Sequence, residues 1–268
     1  MVIKNVTVGS DPELFIINKK TNKVVSSIGL IPGVKGTPWT CKEFKPGYGL
    51  EIDNILAEFN IPPARNFNQF RDSINYMKDF IKKYVQKKNP DLDILCAASQ
   101  IVDEDQLQSE EAKLFGCSVD YNAYTLEPNP KPQGEKTNLR SAGMHIHIGY
   151  DNPNTEASLE LIRYMDVYLG VPSVLIDADS KRRILYGKAG CFRLTPYGLE
   201  YRVLSSYFMS SDELLAFVWK GVVSAIDALN HSFCRPTSSS VIAAINNNDT
   251  KLAKEICETY GVNYQDYI

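Results

Sequence analysis

The stretch Gly143-Met-His-Ile-His-Ile-Gly149 alternates apolar and polar side chains between two glycines. A period of two predicts a half-buried β-strand, because successive side chains point to opposite faces of a sheet. We expect this strand to cover residues 142–150, with His145 and His147 on one face. Two imidazoles on one face form a candidate metal-binding pair, for zinc or for another metal. Two core histidines with satisfied hydrogen bonds are the alternative.

Other segments with strand patterns lie on both sides of this one. They cover residues 2–17, 23–28, 50–60, 92–102, 118–126 and 191–204. Loops rich in Gly and Pro separate several of them, including residues 37–49 and 127–134. Because strands follow strands without a regular alternation with helices, the sequence predicts an α+β fold with an antiparallel sheet, rather than a doubly wound one.

Helices are predicted as isolated packing elements. The clearest covers residues 67–88, where one apolar stripe repeats at steps of three and four: Phe67, Phe70, Ile74, Met77, Ile81 and Tyr84. A second is expected from residue 154 to 169. A third would begin at the capping box Ser210-x-x-Glu213 and run to Leu229, and a last short one would lie within residues 246–260. Residues 177–190 are predicted as a loop. We expect one domain over residues 1–268, with 205–268 mainly helical.

The composition describes an ordinary globular protein. Of 268 residues, 44% are hydrophobic and 23% charged, and the net charge of −3 disfavours a broad nucleic-acid surface. No apolar run reaches the roughly 20 residues that span a bilayer, and the N-terminus lacks a signal-peptide pattern. We therefore expect a cytoplasmic chain with neither membrane nor nucleic acid as a partner. The six cysteines have no zinc-like spacing, so reduced thiols are expected.

Three pairs of functional side chains stand at i and i+2 in predicted strands. They are Asp11 and Glu13, His145 and His147, and Glu200 and Arg202. Period-two geometry turns both members of a pair to the same face.

A fourth segment, residues 51–60, adds further polar side chains to this set. Asn54, Glu58 and Asn60 share one face, whereas Glu51 and Asp53 have the opposite parity unless a bulge intervenes.

If these strands are neighbours, carboxylates, imidazoles and an arginine converge on one surface. Buried acidic groups repel one another, so such a cluster is typical of a site that divalent cations neutralise. Mostly oxygen ligands with one or two imidazoles suit Mg²⁺ or Mn²⁺ better than zinc. Each pair alone also has an ordinary interpretation, such as a turn carboxylate or a surface ion pair.

Several motifs together resemble a known family, the phage-encoded COOH·NH2 ligase type 2 (amidoligase) family. It is part of the superfamily of glutamine synthetase and the glutamate-cysteine ligases. The motifs that carry the resemblance occur in the family's order over residues 9–202. They are Gly9-Ser-Asp-Pro-Glu-Leu-Phe15, Asp53-Asn-x-x-x-Glu58-Phe-Asn-x-Pro-Pro-Ala64, Phe115-Gly-Cys-x-x-Asp120-x-Asn-Ala123, Asn138-x-Arg-x-Ala-Gly-x-His-Ile-His-Ile-Gly149, Arg183-x-x-Tyr-Gly-x-Ala-Gly-x-Phe-Arg193 and Tyr197-Gly-x-Glu-Tyr-Arg202.

The resemblance implies a half-barrel antiparallel sheet, with the site on its concave face and helices on its convex face. It also implies two metal positions. Glu13, Glu58 and Asp53 would hold the ion nearer the acid substrate, with Glu51 or Asn54 as alternatives to Asp53. The ion nearer the transferred phosphoryl group would be held by Asp11, His145 and Glu200, with Asp11 standing where glutamine synthetase has a longer glutamate.

The implied reaction is ATP-dependent amide formation with two Mg²⁺ or Mn²⁺ ions, through an acyl phosphate. Arginines are expected to balance phosphoryl charge, with Arg183, Arg193 and Arg202 as candidates. Either His147 or a nearby carboxylate would accept the proton of the amine, and Arg140 would clamp a substrate carboxylate. The remaining candidates for substrate binding are Asn60, Asp120 and Asn122.

Two other classes of function stay open at this point. A metal-dependent amidohydrolase would use further histidines, and only His231 remains for that role. A non-catalytic binding or structural module on the same fold would not need so many ionisable side chains. The sequence does not identify the acid, which could be glutamate, a peptide terminus or a modified nucleotide acid. It leaves the amine open too, whether ammonia, an amino acid or a polyamine, and does not determine the oligomeric state.

Overall fold

The fold was analysed in a computed structural model that describes residues 2–113, 120–130, 137–235 and 237–267. Part of the predicted strand 118–126 lies outside the described residues. The same holds for Phe115, Cys117 and the end of the loop predicted over residues 127–134.

Twelve strands are assigned within the described residues. They are β1 Thr7–Ser10, β2 Glu13–Asn18, β3 Lys23–Val25, β4 Gly49–Asp53, β5 Leu56–Ala64, β6 Leu92–Leu95, β7 Ser99–Ile101, β8 Tyr121–Asn122, β9 Leu139–Ser141, β10 Ile146–Gly149, β11 Cys191–Thr195 and β12 Gly198–Tyr201.

Ten of the assigned strands form one sheet in the order β3-β2-β5-β1-β10-β12-β11-β8, with β4 beside β5 and β6 beside β2. All of these pairs are antiparallel. The strands β7 and β9 form a separate antiparallel pair. The predicted antiparallel sheet of an α+β fold is therefore confirmed.

The assigned helices are α1 Phe67–Lys88, α2 Glu110–Lys113, α3 Thr155–Met165, α4 Val171–Ile176, α5 Arg182–Leu185, α6 Asp212–Asn230, α7 Ser238–Asn246 and α8 Thr250–Tyr260. A π-helical turn, Asp166–Gly170, joins α3 to α4. Within the described residues, no helix is both long and apolar enough to cross a membrane.

The core lies between the sheet and its long helices. Helix α1 packs on β5 and β6, α3 packs on β11 and β12, and α6 contacts both helices. Ile146 and Ile148 point into this core and are fully buried. Because side chains alternate along β10, His147 points to the opposite side of the sheet.

Four predicted strands are each two strands in the structure. One of them, residues 92–102, divides between β6 and β7. Residues 2–17 divide between β1 and β2 at Asp11-Pro12, where proline has no N–H to donate to a ladder. Residues 50–60 form the hairpin β4–β5, which turns at Asn54 with a positive φ of 57°. Residues 191–204 contain a second hairpin, β11–β12, with a turn between Thr195 and Gly198.

Helix α1 has the predicted bounds, because Asn66 caps its first turn and Asn89 ends it. Two other expectations were wrong. The predicted capping residue Ser210 is replaced by Ser211, whose side chain accepts from Leu214 N. The predicted loop 177–190 contains α5. The last short helix expected within residues 246–260 is confirmed as α8, whereas α7 was not predicted.

Candidate active site

Strand register brings the polar pairs of three strands together on one side of the sheet. His147 lies opposite Gly9 of β1 and Glu200 of β12, and Glu200 lies opposite Arg193 of β11. Because Gly9 has no side chain, the imidazole of His147 has open space beside β1. An alanine Cβ at that position would lie 3.5 Å from the His147 Cβ.

A first group, called here the histidine group, consists of Asp11, His145, His147 and Glu200. Oδ1 of Asp11 lies 2.9 Å from Nε2 of His147 and 3.3 Å from Nδ1 of His145. The same His145 nitrogen lies 3.5 Å from Oε1 of Glu200. Asp11 comes directly after β1. Although its side chain is shorter than the glutamate of glutamine synthetase, its carboxylate lies within ion-pair distance of both imidazoles.

A second group, called here the carboxylate group, consists of Glu13, Glu51, Asp53 and Glu58. The register pairs Glu13 with Glu58 across β2 and β5, and Glu51 with Glu58 across β4 and β5. The expected parity of Glu51 and Asp53 was wrong, because the turn at residue 54 folds β4 back onto β5. All four side chains of this group are at least nine-tenths buried.

The ammonium of Lys35 occupies the carboxylate group. Its Nζ lies 2.7 Å from Oδ2 of Asp53, forms a shorter contact with Glu58, and lies 3.8 Å from Oε1 of Glu51. Lys35 is in the loop between β3 and β4, and its side chain is 41% exposed at the mouth of the site. A cation therefore already lies among these carboxylates.

Charges shift the pKa values of the histidine group. Burial alone would raise the pKa of Asp11, but His147 and His145 hold it well below its ordinary value. Burial lowers the pKa of His147, and Asp11 together with Glu200 raises it by more, so the net direction is upward. Asp11 and His147 thus each stabilise the charged form of the other.

In the carboxylate group, the pKa values of the three glutamates are raised, in contrast to the lowered pKa of Asp11. Burial and the neighbouring Asp53 raise the pKa of Glu13, and burial raises the pKa of Glu58 well above its usual value despite Lys35. Burial also raises the pKa of Glu51. The same charges act on Lys35, whose pKa lies above its ordinary value because Glu58 and Asp53 outweigh its burial. More positive charge would favour the ionised forms of Glu13, Glu51 and Glu58.

Both groups fit the ligand requirements of a hard divalent cation. Ligand atoms from Asp11, His147 and Glu200 all lie within 4.8 Å of one another, and a second such set comes from the carboxylate group: Glu13, Asp53 and Glu58. Carboxylate oxygens with at most one or two imidazoles suit Mg²⁺ or Mn²⁺. His147 completes the first set, whereas the resemblance assigned that role to His145.

Two of the three candidate phosphoryl arginines contact the histidine group. Arg202 bonds Glu200 through NH1, and its Nε lies 3.6 Å from Oδ2 of Asp120. NH1 of Arg193 lies 3.2 Å from the other Glu200 oxygen.

The third candidate, Arg183, points elsewhere. Its guanidinium donates to Asn248 Oδ1 and Ser173 Oγ, in the layer formed by the C-terminal helices. Consecutive residues of a helix are rotated by about 100°. On α5, the side chain that faces the site is therefore Arg182, not Arg183.

Two of the candidate substrate-binding residues are held by the backbone. Arg140 donates to Asn54 Oδ1 and to the carbonyls of Thr137, Leu139 and Ala112, although it still lines the site. These four bonds, which the sequence does not reveal, use most of its donors.

Asn122 accepts from the N–H groups of Tyr124 and Thr125 and stabilises a turn. The structure therefore does not bring its amide to the site. The third candidate, Asp120, is buried against Arg202 and accepts from the Cys191 thiol.

A cavity of about 410 Å³ adjoins the histidine group at His147. Its walls include His147, Tyr197, Asn60 and the apolar residues Ile61 to Pro63. The buried Oδ1 of Asn60 has no hydrogen-bond partner among the described residues. The hydroxyl of Tyr197 lies 2.5 Å from Nδ1 of His147.

The sequence analysis missed Lys35, Tyr197 and Arg182 as candidate site residues. Tyr197 stands inside a quoted motif and could have been named from it. Lys35 lies in a loop between Gly33 and Gly36, where no periodic pattern indicates its direction. Arg182 adjoins the chosen Arg183, and only the helical turn of α5 distinguishes the two.

Residues 134–258 match the family model described as Phage phiEco32-like COOH.NH2 ligase-type 2. The match confirms the resemblance expected from the motifs and supports a ligase that joins a carboxyl to an amino group. It includes the strands that carry His147 and Glu200 and begins after Asp11 and the carboxylate group. No curated protein matches the chain.

Proposed function

We propose that this chain is an ATP-dependent carboxylate-amine ligase that uses two Mg²⁺ or Mn²⁺ ions. One observation carries the proposal. Asp11 and Glu13 are two residues apart, yet each belongs to a different group of candidate metal ligands. The two groups are therefore adjacent, as a reaction needs when one ion serves the acid and the other serves the phosphoryl group.

The chemistry explains why a carboxylate needs activation. A carboxylate oxygen attacks the γ-phosphorus of ATP, ADP leaves, and the product is an acyl phosphate. The amine nitrogen then attacks the acyl carbon, the C–O bond to phosphate breaks, and the nitrogen loses a proton. Bound divalent ions would supply positive charge to the phosphoryl oxygens and orient the reacting carboxylate.

The residues of the chain divide these tasks. The carboxylate group would hold the ion nearer the acid, and the histidine group would hold the ion nearer the phosphoryl group. Arg193 and Arg202 flank Glu200 and would stabilise negative charge on the transferred group.

His147 is the candidate proton acceptor. Asp11 orients its Nε2 and Tyr197 contacts its Nδ1, so the ring is held from both sides. A neutral imidazole accepts a proton at the nitrogen that carries none, and Asp11 then stabilises the cation. If His147 binds the ion instead, His145 is the remaining imidazole of the group.

The cavity beside the histidine group has the size and walls for a nucleoside. Its walls of proline, isoleucine and tyrosine suit a flat aromatic base. The unpartnered Asn60 Oδ1 could accept a hydrogen bond from the amino group of adenine. We further propose that the sheet curves as a glutamine-synthetase-like half-barrel around this site, and that the enzyme works in the cytoplasm, in a phage-infected host.

The test supplies the purified chain with ATP, Mg²⁺ and panels of acids and amines. We expect ADP release together with a condensed product in the mass spectrum. Glu58→Gln and Glu200→Gln should abolish both, whereas Glu110→Gln, at an 84% exposed side chain, should not. Turnover in folded Glu58→Gln and Glu200→Gln equal to that of the wild type would rule out the assigned site. Amide hydrolysis without ATP would favour the hydrolase alternative.

A further inference from the structure

Among the residues that the structure describes, Arg182 is a buried arginine without a carboxylate partner. The residue is 4% exposed, and no described acidic oxygen lies within 4.0 Å of its guanidinium. NH1 donates to Ser141 Oγ at 2.6 Å and NH2 to the Leu204 carbonyl at 3.1 Å. Its buried Nε has no acceptor within the described residues.

Burying a guanidinium group without an anion lowers the stability of the folded protein unless a bound ligand supplies the negative charge. Buried guanidinium groups are normally paired with an anion and fully hydrogen-bonded. Burial lowers the pKa of Arg182, and the two carboxylates that counteract this shift, Glu13 and Asp177, lie beyond ion-pair distance. Arg202 adds a second positive charge nearby and opposes the first.

The guanidinium faces a small cavity on the acid side of the site. The cavity holds about 30 Å³, enough for one or two water-sized groups, and its walls include Glu13, His145, Arg182, Tyr186 and Arg202. This volume is large enough for the oxygens of an oxyanion and too small for a whole substrate.

Two glycines keep the space around Arg182 open. A Cβ at Gly143 would lie 3.1 Å from NH2 of Arg182, and a Cβ at Gly187 would lie 3.0 Å from its Nε. Both distances are shorter than ordinary van der Waals contacts. The absence of a Cβ at both positions therefore leaves room for the guanidinium group of Arg182.

We propose that Arg182 binds an oxyanion in this cavity, either a carboxylate of the acid substrate or the phosphoryl group. The proposal rests on the proposed ligase function for the identity of these two sources. If the anion is a carboxylate other than the reacting one, the substrate carries two of them. The acid would then be a dicarboxylate or an amino acid with a second carboxyl group.

The test measures anion binding in the presence of Mg²⁺, without ATP or amine, by calorimetry. The probes are succinate, glutarate and adipate, the monocarboxylates of equal chain length, and inorganic phosphate. Arg182→Met removes the charge but keeps much of the stem. The matched control is Arg183→Met, the next residue of α5, which is also buried and does not line the cavity.

One pattern of results supports the carboxylate source. A dicarboxylate should bind wild type and Arg183→Met at least about tenfold more tightly than its monocarboxylate, and Arg182→Met should lose that advantage. Phosphate binding that depends on Arg182, with no dicarboxylate advantage, would support the phosphoryl source.

Two results would overturn the proposal. One is equal anion affinity in wild type and folded Arg182→Met, and the other is no anion binding to wild type. If Arg182→Met does not fold, the Nε–H resonance of Arg182 in labelled wild type decides, since an anion bound there must shift it. Because no turnover is measured, failure here is distinct from failure of the ligase assay.

Discussion

The Lys35 ammonium lies 2.7 Å from Oδ2 of Asp53, among four buried carboxylates that are candidate ligands of a metal ion. Lysine and a divalent cation cannot occupy this position together, because both need the same oxygens. Lys35 is flexible and partly exposed, so it can withdraw when an ion binds. The Lys35 ammonium therefore stands in for a divalent cation, because its positive charge offsets the repulsion between the carboxylates.

Lys35→Met should make folding depend on divalent cations. Without them, we expect a loss of about 1–3 kcal/mol in the free energy of unfolding, because buried carboxylates lose their counterion. Added Mn²⁺ should raise the melting temperature of this variant by more than that of the wild type. Lys20→Met removes an exposed ion pair with Asp91 and serves as the control. Equal Mn²⁺ responses in the two variants would contradict a shared position for Lys35 and the ion.

The sequence predicts the elements that follow from local patterns and misses contacts made by distant loops. Helix α1 was predicted to the residue, because a continuous apolar stripe ends at clear capping signals. The β4–β5 hairpin was taken for one strand, since its turn at Asn54 contains neither glycine nor proline. That error gave Glu51 and Asp53 the wrong face.

The sequence was equally unable to predict the direction of side chains outside long regular elements. Lys35 enters the site from a loop, and its partner Asp53 is 18 positions away. Arg182 and Arg183 have the same chemistry, and only the orientation of a one-turn helix assigns one of them to the cavity. Motifs could identify the ligand types in advance, whereas packing determines which neighbour lies in contact.

The pKa of His147 depends on Asp11, and the metal-free protein offers a direct measurement. In Asp11→Asn the imidazole keeps its burial but loses the charge that outweighs it, so its pKa should fall. The chain has three histidines, which allows each to be followed by NMR during a pH titration in EDTA. The exposed pair of His231 and Asp227 is the control. An unchanged His147 pKa in Asp11→Asn would show that this contact is not formed in solution.

Asp166 should make the protein less stable as the pH rises from about 4 to about 7. Burial raises the pKa of this carboxyl to about 7, although it accepts hydrogen bonds from Tyr124, Tyr201 and the Gly190 N–H. The folded state then binds more protons than the unfolded state across that range, so stability is lost with increasing pH. The shift corresponds to roughly 4 kcal/mol at most.

Urea unfolding at several pH values measures this contribution. Asp166→Asn cannot ionise, so its free energy of unfolding should fall less steeply than that of the wild type between pH 4 and about 7. Its absolute stability will be lower, because an amide group meets the donor Gly190 N–H. Asp227→Asn, at an exposed position, should keep the wild-type slope. A wild-type slope in Asp166→Asn would mean that Asp166 ionises normally in the folded protein.

Gly143 has no room for a side chain, because two groups of the site lie against it. An alanine Cβ there would stand 2.7 Å from Nε2 of His145 and 3.1 Å from NH2 of Arg182. We expect Gly143→Ala to displace the imidazole and to weaken Mn²⁺ binding by about 10- to 100-fold, the range found when groups that orient metal ligands are changed.

Gly9→Ala is the matched control for this substitution. Gly9 lies within β1 and Gly143 precedes β10, and neither glycine has a positive φ. The added Cβ of Gly9→Ala would make an ordinary contact of 3.5 Å with the Cβ of His147. Titration with Mn²⁺, followed by electron paramagnetic resonance, should therefore give near wild-type affinity for Gly9→Ala and a weakened one for Gly143→Ala. Equal affinities in both folded variants would mean that His145 does not need its present position to hold the ion, and that His147 alone supplies the imidazole ligand.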